Sequence, residues 1–315
     1  MKTILPQVYV GVDISKNFFD VHVYPLEKAF RCTNNAKGMK KFLEELAIYD
    51  VKQVVCEASG GYESLMIKDL TKENYSTWIV EPKRIRAFII SEGINVKTDK
   101  IDACMIALLA SQKRSKYESM HRSDTEEHLF ALSQRRQDLV AIVTQDKNRL
   151  SHPKEVYCRE KISELIAFLE DQIAQIDAEA AELIARSDSL QNKAAIIESV
   201  PGVGQVTTLA LISGMPELGS LSSKQVASLL GVAPVIRQSG NSRGTAAIKG
   251  GRSFLRSIVY MAALSAIRFN PPLRAFYLRL RDAGKKPKVA IVAVMRKLII
   301  IFNSMVKKGE VWRST

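Results

Sequence analysis

Four carboxylates in the first third of the chain stand where they could gather hard metal ions: Asp13 in YVGVDISK, Glu57 in VVCEASG, and Asp99 with Asp102 in KTDKIDA. Phosphoryl transfer in a two-metal site needs several anionic oxygens converging on cations roughly 3.5–4 Å apart. One cation activates the attacking oxygen and the other stabilises the leaving oxygen. Asp and Glu are the natural ligands for Mg²⁺ in such a site. Asp99 and Asp102, three apart on a helix, would share a face with Cβ atoms about 5–6 Å from each other. Alone, that D-x-x-D pair reads equally as an acidic first turn complementing the helix dipole, and Glu57 as a surface charge at a strand end. Asp13 is harder to set aside, because an acid between Val12 and Ile14 in an apolar strand is costly unless something pairs with it.

The elements that must hold these acids follow from the apolar periodicity. From Val8 to Pro82 the strand-like runs VYVGVDIS, FDVHVYP and FRCTNN precede the helical GMKKFLEELAIYD. Then come the strand QVVCEAS, the helical YESLMIKDLTKEN and the strand STWIVEP, a βββαβα order closed by a further strand. Alternation places Val8, Val10, Val12 and Ile14 on one face and Asp13 on the other. Glu57 closes an apolar strand before Gly60-Gly61. A helix is expected to begin after Thr98, whose side chain can cap it, and to carry Asp99, Asp102, Ile106 and Leu109.

Residues 124–188 are charge-dense and helical on both sides of a Ser151-His152-Pro153 break, which predicts a helical hairpin. Ile166, Leu169, Ile173, Ile176, Ala180 and Leu183 form one seam. Leu129, Leu132, Leu139, Val143 and Leu150 form the other, with Arg136 and Asp146 at two seam positions. The pattern implies a protruding coiled-coil arm, either a rigid spacer or, given two polar seam positions, a dimerisation element. From about Ala195 the chain holds SVPGVGQVTTLAL, a Gly/Ser-rich QSGNSRG stretch, and apolar helices marked by Phe254, Ile258 and Met261, then Val292, Met295, Ile299 and Phe302. The Val200–Gly204 segment fits a helix-hairpin-helix turn, with Gly202 and Gly204 letting amides approach a phosphate, and fits an ordinary helix–helix turn equally well. Ser222 and Gln225 have the spacing of a capping box.

Taken together, GVDISK, E-A-S-G-G-Y, K-T-D-K-x-D-A, the later I-x-x-V-P-G-V-G and A-P-x-x-x-Q-S-G resemble the DEDD transposases of the 110 family of bacterial insertion sequences, which include the Piv-type DNA invertases. The likeness runs through nearly the whole chain in order. It implies an α/β ribonuclease H-like (RuvC-like) catalytic domain over residues 1–122, a coiled-coil arm over 123–190, and a mostly α-helical DNA-binding and serine-nucleophile domain over 191–315. It implies further that Asp13, Glu57, Asp99 and Asp102 hold Mg²⁺ (or Mn²⁺) and that Ser239 is the nucleophile, with Ser242 close by as an alternative. Family resemblance also implies double-stranded DNA at donor and target sites, an element-encoded structured RNA as partner, and a homodimer or tetramer. By itself, Ser239 before Gly240 reads as a common turn. All four histidines precede this region, which argues against a Ser-His-Asp relay. The cations around it, Arg237, Arg243, Lys249, Arg252 and Arg256, could hold a phosphate.

Charge agrees with a polyanionic partner. The net charge is +13, and residues 231–315 carry 17 Lys and Arg against only Asp282 and Glu310, leaving 29 basic and 31 acidic residues elsewhere. Lys285, Lys286 and Lys288 around Pro287 fit a solvated helix start and, favoured by that regional balance, a phosphate-contacting face made mainly of nonspecific backbone contacts. Tyr260, Phe269, Phe276 and Tyr277 have spacings more usual for core than for base stacking. Four scattered cysteines without C-x-x-C spacing indicate neither a disulfide framework nor a zinc site. With no long apolar leader, and with Arg296 and Lys297 interrupting the most apolar late stretch, a soluble, cytoplasmic protein with no membrane association is expected, and the family resemblance implies a bacterial, nucleoid-associated one. Two rivals remain at this point: a Holliday-junction-type endonuclease using metal-activated water, and a noncatalytic nucleic-acid-binding protein with structural acids.

Overall fold

The computed structural model describes residues 6–93, 99–112, 123–152, 155–235, 238–239, 242–243 and 247–313. The chain divides into two compact units, Met1–His121 and Arg122–Thr315.

The first unit is built on strands β1 (Gln7–Ile14), β2 (Phe18–Tyr24) and β3 (Lys28–Thr33), helix α1 (Ala36–Leu46), β4 (Asp50–Glu57), α2 (Ser64–Lys72), β5 (Thr77–Val80), α3 (Pro82–Ser91) and α4 (Asp99–Gln112). The five strands form one sheet in the order β3-β2-β1-β4-β5. Its β1–β2 and β2–β3 pairs are antiparallel, and its β1–β4 and β4–β5 pairs are parallel. Short turns suffice for the first three strands, whereas each parallel pair needs a helical crossover, which α1 and α2 provide. Val10, Val12, Val21, Val54 and Cys56 face α1 and α2, packing on Phe42, Leu46, Met66 and Leu70. Val55, Trp78 and Val80 face the other way, onto Ile85, Phe88 and Ile89 of α3 and Met105, Ile106 and Leu109 of α4. Each of these large side chains contributes about 1.5–3 kcal/mol by leaving water. Alternation thus sends Asp13 to the α3/α4 face, as the sequence predicted. Thr98 lies outside the described residues. Helix α3 was not anticipated, although Pro82 at its first turn is a favoured helix start.

Gly11 decides how close α4 can come. A Cβ there would meet the Ala103 carbonyl oxygen at 2.2 Å and the Ala107 nitrogen at 2.3 Å, so α4 lies backbone-to-backbone on β1 only because residue 11 has no side chain.

The second unit opens with a hairpin of α5 (Asp124–Leu150) and α6 (Val156–Ala185), followed by α7 (Asp188–Glu198), α8 (Gln205–Gly214) and α9 (Ser223–Leu230). Four two-residue strands come next: β6 (Pro234–Val235), β7 (Gln238–Ser239), β8 (Ser242–Arg243) and β9 (Ala247–Ile248), paired β6–β9 and β7–β8. Helices α10 (Ser253–Phe269), α11 (Pro271–Asp282) and α12 (Pro287–Lys308) complete it. Ser123 and Glu126 form a capping box at the start of α5, and Ser222 and Gln225 form the anticipated one at α9.

Leu139, Val143, Ile166 and Leu169 are the buried seam of the hairpin. Leu129 and Ala180 at its base belong instead to the core shared with α7–α12. The two polar seam positions are satisfied inside the chain. Arg136 donates to both carboxylate oxygens of Asp177 at 2.6 and 3.1 Å, and buried Asp146 accepts from Arg149 at 2.7 Å. They therefore supply no reason of their own for a second chain. On α10 the deeply buried stripe is Leu255, Val259, Ala262, Ala263 and Ala266, while Met261 is 63% exposed. Phe254, Ile258 and Met261 line a groove with Val206 and Val140 instead. Helix α12 is long and apolar enough to cross a membrane, yet half of its most apolar window is buried, with Val294, Leu298, Ile299 and Phe302 in the core.

Candidate active site

Strand pairing brings the first two acids together. In the parallel β1–β4 ladder Val12 lies opposite Cys56, so one further residue along each strand sets Asp13 beside Glu57 on the same face of the sheet. Helix α4 covers that face, with Asp102 in its first turns and only 6% exposed. A cleft of about 470 Å³ is lined by Glu57, Asp102, Pro82, Lys83, Ile85, Arg86 and Ile89. Asp99 is the first residue of α4, one turn before Asp102; its side chain lies outside the described residues. Asp13 and Glu57 are therefore neighbours on one face of the sheet, Asp102 lines the same cleft as Glu57, and Asp99 starts the helix that carries Asp102.

Neighbouring groups tune this acidic corner. Asp20 on β2 lies directly opposite Asp13, a like-charged pair that is unfavourable unless compensated. Arg31 supplies the compensation, donating to both Asp20 oxygens at 2.9 and 2.7 Å. Lys83 and Arg86, in the first turns of α3, bring cations to the rim of the cleft. Asp20, Arg31, Lys83 and Arg86 were not singled out from the sequence. The P-K-R-I-R run after a strand was the available signal for the last two. After Glu57 the chain turns through Gly60 and Gly61, at φ of +78° and +114°, conformations that favour glycine. Glu63 ties this turn together by accepting from the amides of Ser59 and Gly61 and from the Ser59 hydroxyl. Burial pushes the Cys56 thiol far above its usual range, so this inward-facing neighbour of Glu57 acts as a small apolar group.

What the corner can do chemically follows from its donors. Carboxylates offer hard oxygen donors of the kind that a small divalent cation of the Mg²⁺ or Mn²⁺ class takes. Buried Asp102 needs a counter-charge.

In the second unit Ser239 and Ser242 face each other across the β7–β8 ladder, each a register partner of the other. The pairing gives both serines equivalent positions. Arg243 pairs with Gln238 in that ladder; the side chains of Ser239, Ser242 and Arg243, and all of Arg237, lie outside the described residues. Lys249 is exposed. Arg256 donates to the Gly250 carbonyl and, with Lys288 and Arg296, lines a cavity of about 760 Å³ that is otherwise largely apolar, walled by Val232, Ile248, Tyr260 and Val292. Arg252 is engaged differently from the expectation: it donates to both oxygens of Glu217, at 2.8 and 2.7 Å, and to the Gly214 carbonyl at 2.8 Å. That guanidinium braces the start of α10.

The two glycines of the Val200–Gly204 turn also differ. Gly202, at φ +89°, packs against the α10 backbone, where a Cβ would come within 2.8 Å of Ala266. Gly204 is exposed with open space around it and starts α8 without a side-chain cap, leaving first-turn amides for another acceptor. Lys285, Lys286 and Lys288 are exposed around the start of α12, which has no acid in its first turn. Positive side chains at a positive dipole end are unfavourable by a few tenths of a kcal/mol each, roughly, until an anion arrives.

Comparison with known proteins bears on both units. Residues 10–153 match a DEDD transposase model of the IS110 type, and residues 194–278 match the transposase IS116/IS110/IS902 family. The pilin gene-inverting proteins of Moraxella bovis and Moraxella lacunata are each 28% identical, over 97% of this chain and 98% of their own length. An uncharacterized 43.6 kDa protein of insertion element IS110 from Streptomyces coelicolor is 29% identical, over 38% of this chain and 30% of its own.

Proposed function

The chain belongs to the IS116/IS110/IS902 family of transposases, which recombine DNA, and from that premise we propose that it moves or inverts a DNA segment by divalent-metal-dependent strand transfer. The observation that carries the proposal is the parallel register that sets Asp13 beside Glu57, with buried Asp102 lining the same cleft as Glu57. Asp13, Glu57 and Asp102, with Asp99, are the ligands of Mg²⁺ or Mn²⁺. Bound there, such ions supply an activated attacking oxygen and charge neutralisation at the leaving oxygen. Lys83 and Arg86 orient the phosphodiester at the mouth of the cleft. Arg31 holds Asp20 away from competing for the same cation.

Ser239 is the nucleophile of the reading. Its hydroxyl gives up its proton as the oxygen bonds to phosphorus, the bridging P–O bond breaks, and the departing 3′ or 5′ oxygen takes up a proton to leave as a hydroxyl. Arg237, Arg243, Lys249 and Arg256, with Lys285, Lys286 and Lys288, contact DNA phosphates, and the open amides after Gly204 add a further phosphate contact. Arg252 braces the fold beneath them. An element-encoded structured RNA selects donor and target, and a homodimer or tetramer supplies the second active site that strand exchange needs. Three observations on this chain support the DNA-facing part: the +15 balance of residues 231–315, cations at an uncapped helix start, and whole-length similarity to inverting proteins.

The test is to incubate purified protein with the DNA flanking its gene and the transcripts of that region, with Mg²⁺, and to sequence the joined products. Joined strands that require Mg²⁺ and pass through a covalent protein–DNA adduct are expected. Cleavage without rejoining and without an adduct would favour a junction-type endonuclease instead.

A further inference from the structure

On the opposite flank of α4 from Asp102 lies a second cluster of ligating side chains with a different chemistry. His22 projects from β2, opposite Gly11 of β1. Cys104 sits on α4 beside Ala103, the residue that touches Gly11. Glu27 belongs to the turn joining β2 to β3. One ligand atom from each of His22, Glu27 and Cys104 lies within 4.8 Å of the other two. His22 is 6% exposed, and its Nε2 is buried without a hydrogen-bond partner. The Glu27 carboxylate stands 3.5 Å from that nitrogen, within ion-pair range of a protonated imidazole, without making a hydrogen bond to it. A buried imidazole nitrogen left unpaired is costly, so its orientation toward a thiol and a carboxylate calls for a ligand. Glu27 also holds a left-handed backbone conformation, φ 55°, uncommon for a residue of this type.

We infer that His22, Glu27 and Cys104 form a binding site for a borderline-soft divalent ion of the zinc class. One imidazole, one thiolate and one carboxylate are a donor set that zinc accepts and Mg²⁺ does not favour. Tetrahedral bonds of about 2.0–2.3 Å place ligand atoms roughly 3.3–3.7 Å apart, so the cluster must contract slightly. Glu27 can supply the movement, because its side chain is 65% exposed. Three protein ligands leave a fourth position for water. The ion would cross-link the β2–β3 turn to α4, the helix that carries Asp99 and Asp102, and so fix the helix on the side that Gly11 alone does not control. The site does not depend on the strand-transfer reading, since none of its three residues belongs to the acidic corner.

The test uses the full chain, freed of metal by a chelator and titrated with Co²⁺ while excess Mg²⁺ occupies carboxylate-only sites. A cobalt–thiolate charge-transfer band reaching its endpoint at one equivalent, and bleached by Zn²⁺, is expected. Cys104→Ser should abolish the band, Glu27→Gln should weaken binding at least about tenfold, and Asp13→Asn and Cys158→Ser should leave it unchanged. Glu27 is exposed in a turn, so its substitution keeps the test valid if Cys104→Ser disturbs the fold. Absence of the band in the unmodified chain, or its persistence in Cys104→Ser or at full affinity in Glu27→Gln, would overturn the assignment.

Discussion

The acidic corner of the first unit and the basic face of the second are positioned by different means. Asp13 and Glu57 are placed by strand register, and Asp102 by a helix whose depth is set by the missing side chain of Gly11. Backbone hydrogen bonds and close backbone contact fix these three to small tolerances. Lys249, Lys285, Lys286 and Lys288 sit at helix starts and strand ends, on long exposed side chains. Metal ligands must agree in distance within tenths of an ångström, whereas phosphate contacts can be made by flexible cations over a range of geometries. Substitutions in the first region should therefore act nearly all-or-none, and those in the second should be graded.

The largest expected effect is Asp102→Asn, which removes a ligand charge from the buried end of the cleft. Loss of several kcal/mol of transition-state stabilisation corresponds to a fall of roughly 10³-fold in joined product. A fall below tenfold would place Asp102 outside the chemistry and erase the contrast. Ser239→Ala is next: no covalent protein–DNA adduct should be recovered, while Ser242→Ala should still yield one. The reverse pattern would exchange the two serines, which the β7–β8 ladder treats alike.

Gly11→Ala tests whether depth of α4 packing matters as much as register. A methyl group driven into the Ala103–Ala107 backbone should destabilise the first unit by about 1–3 kcal/mol in denaturant unfolding and reduce strand transfer with it. Smallest are the basic-face changes. Lys288→Ala should lower the slope of log affinity against log salt by about 0.9, the signature of one lost phosphate contact. Arg252→Ala should leave that slope alone and instead lower stability by about 1–2 kcal/mol, because the Glu217 and Gly214 contacts are internal and partly exposed. Equal slopes for both variants would show that the basic residues cannot be sorted in this way.

Much of the first unit was legible in the sequence, because alternating apolar runs and Gly60-Gly61 mark strands and turns directly. The face assignment of Asp13 followed from a period of two. Helix α3 was missed because Pro82-Lys83-Arg84 reads as the end of a strand rather than the start of a helix, and Lys83 and Arg86 were lost with it. In the second unit, helix existence was readable but facing was not. Phe254, Ile258 and Met261 form a regular apolar stripe, yet the small residues Ala262, Ala263 and Ala266 turn toward the core because α8 and α12 pack closely there. Arg136 and Asp146 illustrate the same gap: polarity at a seam is visible in a sequence, but the partner that satisfies it depends on register across the hairpin. Arg252 could not be told from Arg256 by composition, since only the fold brings Glu217 within reach.

The central claim is that the carboxylates of β1, β4 and α4 share a hard divalent ion, and Mn²⁺ binding to the full chain, followed by electron paramagnetic resonance of the free ion, tests it most directly. The account predicts that the unmodified protein withdraws Mn²⁺ from solution, that Asp13→Asn and Asp102→Asn each weaken this at least about tenfold, and that Cys104→Ser leaves it unchanged. Binding by Asp13→Asn and Asp102→Asn as tight as that of the unmodified chain would contradict it.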